Sequence, residues 1–271
     1  MNTSALRIAV VFPELLGTYG DGGNVLVLQR RLAWRGLACE TVPVALDSPV
    51  PADCDLYVLG GGEDSAQTAA LAALRRSPGL HQALGRGAPV FAVCAGLQLL
   101  GVSVMDRDGV VTAGLGLLDA ETRLGPTRLV GPVTGRPDPA LGLPLMSGFA
   151  NHAGRTRLGP QARPLATLTS GPGNDDADGA DASREGALQG GIVASYLHGP
   201  VLARNPGLAD LLLARGLGEP VEPLPQTPGP SAGPERSSRR WGRRASGILR
   251  LLGRIVSRVW RVRRGETAVF R

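Results

Sequence analysis

The chain has 271 residues, 43% of them apolar, so it can bury a substantial core and is not a wholly disordered protein. Its 39 Gly and 22 Pro favour many short elements joined by tight loops over an all-helical bundle. All 29 basic residues are Arg, and the absence of Lys excludes a Walker P-loop lysine and a pyridoxal Schiff base.

The first hundred residues alternate between two kinds of hydrophobic pattern. Continuous apolar runs predict buried strands at Leu6–Phe12, Glu40–Val44, Leu56–Leu59 and Pro89–Val93. Helical spacing of apolar residues predicts helices at Val25–Arg35, Ser65–Arg76 and Ala95–Leu100. This alternation predicts an α/β fold with a doubly wound, mostly parallel sheet, whose site lies at the carboxyl ends of the strands.

The pattern changes in the second half of the chain. Short apolar pieces between Met105 and Leu168 predict antiparallel strands and long loops, and the acidic stretch Ser170–Gly186 predicts a solvated loop. Gly191–Leu197 is then predicted as a last strand that delivers His198, and Leu208–Arg215 as a closing helix.

Charge and proline content divide the chain into three regions. Residues 235–271 contain 12 Arg and 2 Glu, a net charge of +10, whereas residues 1–234 carry a net charge of −4. Residues 220–234 contain six Pro and predict a linker. We therefore predict a globular domain at 1–219, a Pro-rich linker at 220–234 and a basic tail at 235–271.

Cysteine number and the first apolar run indicate the compartment. Three Cys (Cys39, Cys54 and Cys94) cannot all pair, and Leu6–Phe12 is too short for a signal peptide or a membrane span. We therefore expect a reducing cytoplasm.

Cys94 is the candidate nucleophile. It lies where an apolar strand turns directly into a helix, between the small residues Ala92 and Gly96. A sharp strand-to-helix turn needs small neighbours, and the positive helix end lowers the pKa of a thiol. Free Cys is usually only a small buried hydrophobe, which is our interpretation of Cys39 and Cys54.

A thiol nucleophile needs a base, and the chain contains three His. His198 ends a predicted strand and should project into the crevice that holds Cys94, so it is the preferred base. The alternative for His198 is a capping or core His, and His81 is expected at the surface. The run Gly60–Gly62 can offer backbone amides to an oxyanion, or be a tight turn.

Several motifs together resemble a known family. The sequences V-C-A-G-L-Q around Cys94, L-G-G-G-E-D before it and Y-L-H-G-P around His198 are similar to class I glutamine amidotransferases of the cobyric-acid-synthase-like branch. Within that branch, P-E-L-L-G-T-Y-G-D-G-G-N and G-F-A-N-H-A-G-R-T resemble the GatD family of glutaminase subunits of lipid II isoglutaminyl synthase. The resemblance spans roughly residues 6 to 215.

The resemblance implies hydrolysis of glutamine through a γ-glutamyl thioester on Cys94, with His198 as the base. Backbone amides of the Gly61 region and Ala95 would form the oxyanion hole. Gln98 and Arg128 match positions near the bound glutamine, and Arg128 suits its α-carboxylate, although a surface Arg is an equal alternative. His152 and Asn151 are expected to order the loop around the site rather than to transfer protons.

One position departs from the family pattern. Other triad amidotransferases carry Glu two residues after the His, where this chain has Pro200. Either the site is a Cys–His dyad, or another carboxylate orients the His. Asp21 is the leading candidate because its loop follows the first strand, and its alternative role is a turn-forming Asp.

The resemblance also implies partners. The expected function is a glutaminase that feeds ammonia to a Mur-ligase-like MurT subunit, which amidates the D-glutamate of lipid II in a heterodimer. This chain would hold no cofactor or metal, and ATP and Mg would bind the partner. There are two alternatives: an amidotransferase of a corrinoid or other cofactor pathway, and a non-catalytic binding module. The first is disfavoured because such synthases usually fuse the amidotransferase to an ATP-binding domain.

The basic tail has its own pattern. On a helix over Ser238–Arg264, apolar side chains gather on one face and Arg side chains on the other. The pattern has four alternative interpretations: a membrane-surface helix, a nucleic-acid arm, a helix docked on an acidic groove, or a tail that is disordered until it meets a partner. We favour an anionic membrane surface over nucleic acid, because the apolar stripe has no use in a nucleic-acid arm.

Overall fold

The computed structural model describes residues 5–17, 21–175 and 183–224, so the predicted basic helix lies outside the described residues. The strands are β1 (Leu6–Val11), β2 (Cys39–Val44), β3 (Leu56–Leu59), β4 (Val90–Val93), β5 (Ser103–Met105), β6 (Val111–Ala113), β7 (Ala120–Pro137), β8 (Met146–Leu158), β9 (Ala166–Ser170), β10 (Arg184–Glu185), β11 (Ala187–Gln189), β12 (Ile192–Ser195) and β13 (Leu197–His198). The helices are α1 (Gly22–Ala33), α2 (Asp64–Arg76), α3 (Gly79–Gly85), α4 (Ala95–Leu100), α5 (Val201–Arg204) and α6 (Pro206–Leu217), with a 3₁₀ turn at Pro139–Leu141.

A six-stranded sheet forms the centre of the fold. Its order is β11-β12-β4-β3-β1-β2, and every neighbouring pair is parallel except β11 with β12. All residues of β3, β4 and β12 are buried, as expected for strands covered on both faces. The chain order reverses between β1 and β3, which places a topological switch point, the usual ligand crevice, at their carboxyl ends. The predicted mostly parallel α/β sheet is confirmed.

A second, seven-stranded sheet contains the middle of the chain. Its pairs are antiparallel apart from β5 with β7. The prediction of antiparallel strands is confirmed, but strands replace much of the predicted long loops, because β7 and β8 are 18 and 13 residues long. Their register shifts between Leu124 and Leu129. The buried Arg155 secures this bulge by donating to the carbonyl oxygens of Thr127 and Ala153 at 2.8 and 2.9 Å.

The predicted last strand is divided between the two sheets. β12 pairs with β4 in the first sheet, whereas β13 pairs with β8 in the second, with His198 opposite Phe149. The buried Glu185 stabilises the break, because its Oε1 accepts hydrogen bonds from Tyr196 N at 2.7 Å and Ser195 Oγ at 3.0 Å. The sequence expectation of one continuous strand is therefore wrong.

The acidic stretch is also less solvated than its composition predicts. Asn174 and Glu185, at its two ends, are 0% and 1% exposed. The Asn174 side chain exchanges two hydrogen bonds with the backbone of Gly186, at 2.7 and 2.9 Å. Residues 176–182 of the stretch lie outside the described residues. Its ends belong to the core, because their polar groups find partners there.

The helices in the described part of the chain are short or amphipathic. None of them is both long enough and apolar enough to span a bilayer.

The buried Glu185 makes folding stability depend on pH. Burial raises the pKa of Glu185 from 4.5 to about 7, so between these values the folded state binds more protons than the unfolded state. The contribution of Glu185 to stability is therefore highest at low pH and falls as pH rises through 7. In denaturant unfolding, we compare the free energy of unfolding of Glu185→Gln with that of wild type. As pH rises from 5 to 8, this difference should shift by about 2 kcal/mol in favour of the variant.

Glu121→Gln provides the matched control, because Glu121 is exposed. Its difference from wild type should stay constant over this range. If the difference between Glu185→Gln and wild type also stays constant over this pH range, the prediction is wrong, because burial then does not hinder ionisation of Glu185.

Candidate active site

Cys94 occupies a strained turn between β4 and α4. Its φ of 52° and ψ of −103° are unusual for a residue other than Gly, and such strain concentrates at functional sites. Its N–H donates to Ser195 O at 2.8 Å, which anchors the turn to β12. A Cβ on Gly96 would lie 2.9 Å from Leu59 Cβ and from Leu59 O, so only Gly allows α4 to approach β3 this closely. This is the geometry of a nucleophile elbow.

The thiol of Cys94 is protonated in this environment. Burial and, secondly, the nearby Asp21 raise its pKa to about 12, against the lowering influence of Arg128 and of the Ala95 amide. Because only the thiolate is a strong nucleophile, the site needs a base that takes the proton as the reaction proceeds.

His198 and Asp21 form a buried hydrogen-bonded pair. His198 Nδ1 lies 3.2 Å from Asp21 Oδ1, with side-chain exposures of 5% and 1%. A carboxylate only accepts, so Nδ1 carries the proton and Nε2 is left as the basic nitrogen. Asp21 precedes α1, yet its side chain makes no capping bond to that helix. The structure thus brings together the predicted base and the predicted orienting carboxylate, as in a catalytic triad.

These side chains converge on Gly61, at the end of β3. A Cβ on Gly61 would lie 2.9 Å from Asp21 Oδ2, 3.2 Å from His198 Cε1 and 3.4 Å from Cys94 Cβ. The Gly61 N–H donates to Asp21 Oδ2 at 2.8 Å. Because the Gly61 amide already donates to Asp21, it does not fit the predicted role of an oxyanion donor. The next residue, Gly62, lines the pocket beside Cys94.

Pro200 explains why the carboxylate comes from another segment. A Cβ on Gly23 would overlap Pro200 Cγ, so Pro200 packs directly against the first turn of α1. Leu202 N also donates to Asn24 Oδ1 at 3.0 Å. The residues after His198 thus fix α1, and α1 in turn places Asp21 beside the imidazole.

A narrow pocket opens beside Cys94 and is lined by Gln98 and Arg128, two of the four predicted substrate-binding residues, but not by Gly61 or Ala95. It is lined by Gly62, Glu63, Gln67, Cys94, Gln98, Leu124, Arg128, His152, Ala153 and Gly154. Arg128 lies at the bulge of β7 and contacts Asn151, donating to its Oδ1 at 2.7 Å and to its backbone O at 2.6 Å. Gln98 Nε2 lies 3.2 Å from the hydroxyl of Tyr196.

His152, on the wall of the pocket, had only a minor role in the sequence analysis, and Tyr196, which stacks on it, had none. His152 stacks on Tyr196 with ring centroids 3.9 Å apart, and burial lowers its pKa to about 4, so it is neutral at physiological pH. The Tyr196 hydroxyl lies 2.6 Å from Thr156 Oγ1, in a fully buried polar network. Tyr196 lies two residues before His198 in the sequence, and this position is the signal that would have indicated a role for Tyr196 near the site.

The remaining candidates lie elsewhere. His81 is exposed on α3, as predicted, whereas Cys39 and Cys54 do not line the pocket and burial raises both thiol pKa values. In the described ranges, no group of three or more His, Cys, Asp or Glu has an arrangement that could hold a metal ion.

Comparisons with known proteins show which proteins the chain is similar to. Residues 7–206 match the CobB/CobQ-like glutamine amidotransferase domain. The subunit GatD of lipid II isoglutaminyl synthase (glutamine-hydrolyzing) from Staphylococcus aureus strain N315 is 33% identical over 223 residues, covering 80% of this chain and 88% of that protein. The corresponding GatD of Streptococcus pneumoniae R6 is 31% identical, covering 78% and 80%. Cobyric acid synthase from Sphingopyxis alaskensis is 34% identical over 65% of this chain, but over only 34% of that protein.

Solved structures show the same fold at low sequence identity. PurLQS from Thermotoga maritima superposes with a TM-score of 0.52 at 14% identity, covering 78% of this chain and 97% of that chain. The glutaminase domain of Trypanosoma brucei CTPS, with bound acivicin, gives 0.51 at 12% identity, covering 80% and 96%.

Proposed function

The chain belongs to the CobB/CobQ-like glutamine amidotransferases, and we propose that it is the glutaminase subunit of a lipid II isoglutaminyl synthase. The observation that carries this proposal is the convergence of Cys94, His198 and Asp21 around Gly61 at the switch point of the sheet. Its assignment to lipid II is supported by the S. aureus and S. pneumoniae GatD relatives, which match this chain over 88% and 80% of their own lengths.

The reaction begins with proton transfer from Cys94 to His198. The Sγ then attacks the γ-carboxamide carbon of glutamine, and the carbonyl π pair moves onto oxygen to give a tetrahedral oxyanion. Collapse re-forms the carbonyl and breaks the C–N bond, while His198 gives its proton to the departing nitrogen, releasing ammonia and leaving a γ-glutamyl thioester on Cys94. Water, deprotonated by His198, then attacks the thioester carbon, the C–S bond breaks to release glutamate, and the Cys94 thiolate takes the proton back from His198.

Asp21 and the α4 terminus support these steps electrostatically. Asp21 holds the His198 tautomer that exposes Nε2 and stabilises the imidazolium formed on proton transfer. The Ala95 amide already stabilises negative charge on Cys94, which fits a donor at the start of a helix beside a developing oxyanion. Arg128, on the wall of the pocket, suits the α-carboxylate of glutamine.

The ammonia produced needs an acceptor activated by another polypeptide. This chain has no Lys and therefore no P-loop lysine, so we propose a Mur-ligase-like MurT partner that binds ATP and Mg and amidates the D-glutamate of lipid II. The GatD relatives are themselves named as subunits. A corrinoid acceptor is less well supported, because the cobyric acid synthase match covers only 34% of that protein.

The proposed membrane contact rests on sequence alone. Residues 238–264 lie outside the described residues, and on a helix their sequence would place Arg side chains on one face and apolar side chains on the other, which suits a surface of anionic lipid at the cytoplasmic side. A lipid-linked acceptor is consistent with such a location.

The first prediction concerns the nucleophile. Cys94→Ala should lower glutamine hydrolysis by the complete complex on the order of 10⁴-fold or more while the fold is kept, because the covalent step is lost and the volume change is small. A glutamine-like diazo ketone should label Cys94, located by mass spectrometry of peptides. Cys39→Ser serves as the control and should keep both activity and labelling, whereas labelling of Cys39 or Cys54 would refute the assignment.

The second prediction separates the base from its orienting group. His198→Ala should lower kcat about 10³-fold or more, and Asp21→Asn by a smaller factor of about 10²-fold, because Asp21 acts only through the imidazole. Both effects are measured from the initial rates of glutamate formation across pH 6–9.

Asp53→Asn is the matched control for Asp21→Asn, because Asp53 is an exposed partner of Arg7. It should leave the pH–rate profile unchanged. An identical profile and kcat for Asp21→Asn would leave a Cys–His dyad as the catalytic unit.

The third prediction concerns the partner. The purified chain should form no amide on lipid II from ATP and glutamine until the ligase subunit is added, because it has no lysine with which to build a P-loop. Amidated lipid II is detected by mass spectrometry. ATP-dependent amidation by the single chain would disprove the proposed division of labour.

A further inference from the structure

Two buried hydrogen-bond acceptors in the active-site pocket have no donor among the described residues. They are Gln98 Oε1 and His152 Nε2, on side chains of residues that are 2% and 1% exposed. Both residues line the pocket together with Cys94. A buried acceptor without a donor is destabilising and rare in native proteins, so two in one pocket indicate a ligand that donates hydrogen bonds.

The tautomer of His152 is fixed by its surroundings. Its Nδ1 lies 2.9 Å from the carbonyl oxygen of Gly154, which can only accept, so Nδ1 carries the proton. The stack on Tyr196 holds the ring plane, and the low pKa keeps the imidazole neutral at physiological pH. Nε2 is therefore a permanent lone-pair acceptor and is not adapted to take up a proton in the reaction.

The amide of Gln98 is oriented in a similar way. Its Nε2 is within 3.2 Å of the Tyr196 hydroxyl, which leaves Oε1 as the atom without a partner. Tyr196 thus contacts both side chains, by stacking on one and by a hydrogen bond to the other.

A cationic donor lies on the same wall. Arg128 lines the pocket and is bonded to Asn151, the residue directly before His152. An α-amino acid carries an anionic carboxylate and a donating ammonium on one carbon atom. A cation next to neutral acceptors is complementary to that pair of groups.

We propose that His152 is a substrate-binding residue, whose Nε2 accepts a hydrogen bond from the α-ammonium group of glutamine. This deepens the proposed function and rests on it, because it takes glutamine as the substrate. His152 thereby contributes to selection of α-amino acid amides over amides that lack the amino group.

The test compares glutamine with 4-carbamoylbutanoate, which is glutamine without its α-amino group. Wild type, His152→Phe and His152→Gln are assayed in the full chain with its ligase partner. Phe keeps a ring to stack on Tyr196 but has no acceptor, whereas the Gln side chain can place an oxygen near the position of Nε2. The deamino compound is measured both as a substrate and as a competitive inhibitor of glutamine hydrolysis, so that its inhibition constant is obtained even where its turnover is slow.

For His152→Phe, kcat/KM for glutamine should fall about 10- to 100-fold, mainly through KM, because a charge-assisted hydrogen bond is lost. The constants for 4-carbamoylbutanoate should change less than about threefold, since that compound never makes this bond. His152→Gln should recover part of the preference for glutamine.

Equal losses on the two compounds would overturn the inference, because a purely structural role of His152 affects both alike. That result would leave the proposed function intact. A wild-type complex that hydrolyses neither compound would instead refute the proposed function, and the inference with it.

Discussion

The carboxylate of Asp21 connects the parts of the active site. One oxygen accepts from His198 Nδ1 and the other from the amide of Gly61, so the start of α1, the segment after β3 and β13 meet at a single buried carboxylate. The two donors and the adjacent start of α1 compensate the loss of solvation of that charge. The site therefore needs no carboxylate on the strand of the imidazole, and Pro200 is free to pack against α1.

The features that were predictable from sequence are those encoded locally. The apolar run before Cys94 and the small residues around it predict both β4 and the elbow, and the segments that follow the parallel strands β1 and β12 bring Asp21 and His198 together. The break after Ser195 was not predictable, because it depends on Glu185, which belongs to a stretch whose acidic composition indicates solvent. The position of His152 depends on the register of the β7–β8 hairpin across a bulge secured by Arg155, and periodicity carries no information about such long-range contacts.

The electrostatics of the site keep the nucleophile inactive at rest. Burial and the neighbouring Asp21 raise the pKa of the Cys94 thiol to about 12. Oxidation and alkylation both proceed through the thiolate, so a protonated thiol is protected from them. The chemistry is confined to the moment when a substrate and the imidazole of His198 meet the sulfur together.

Cys94 and His198 belong to different sheets: the first ends β4 of the central sheet, and the second is paired to β8 of the other. The separation between sulfur and imidazole therefore depends on how the two sheets are positioned relative to each other, not on either sheet alone. Amino-acid replacements in the core between the sheets can alter the reaction rate while both reacting residues remain unchanged. Core positions far from the pocket consequently contribute to catalytic distance as well as to packing.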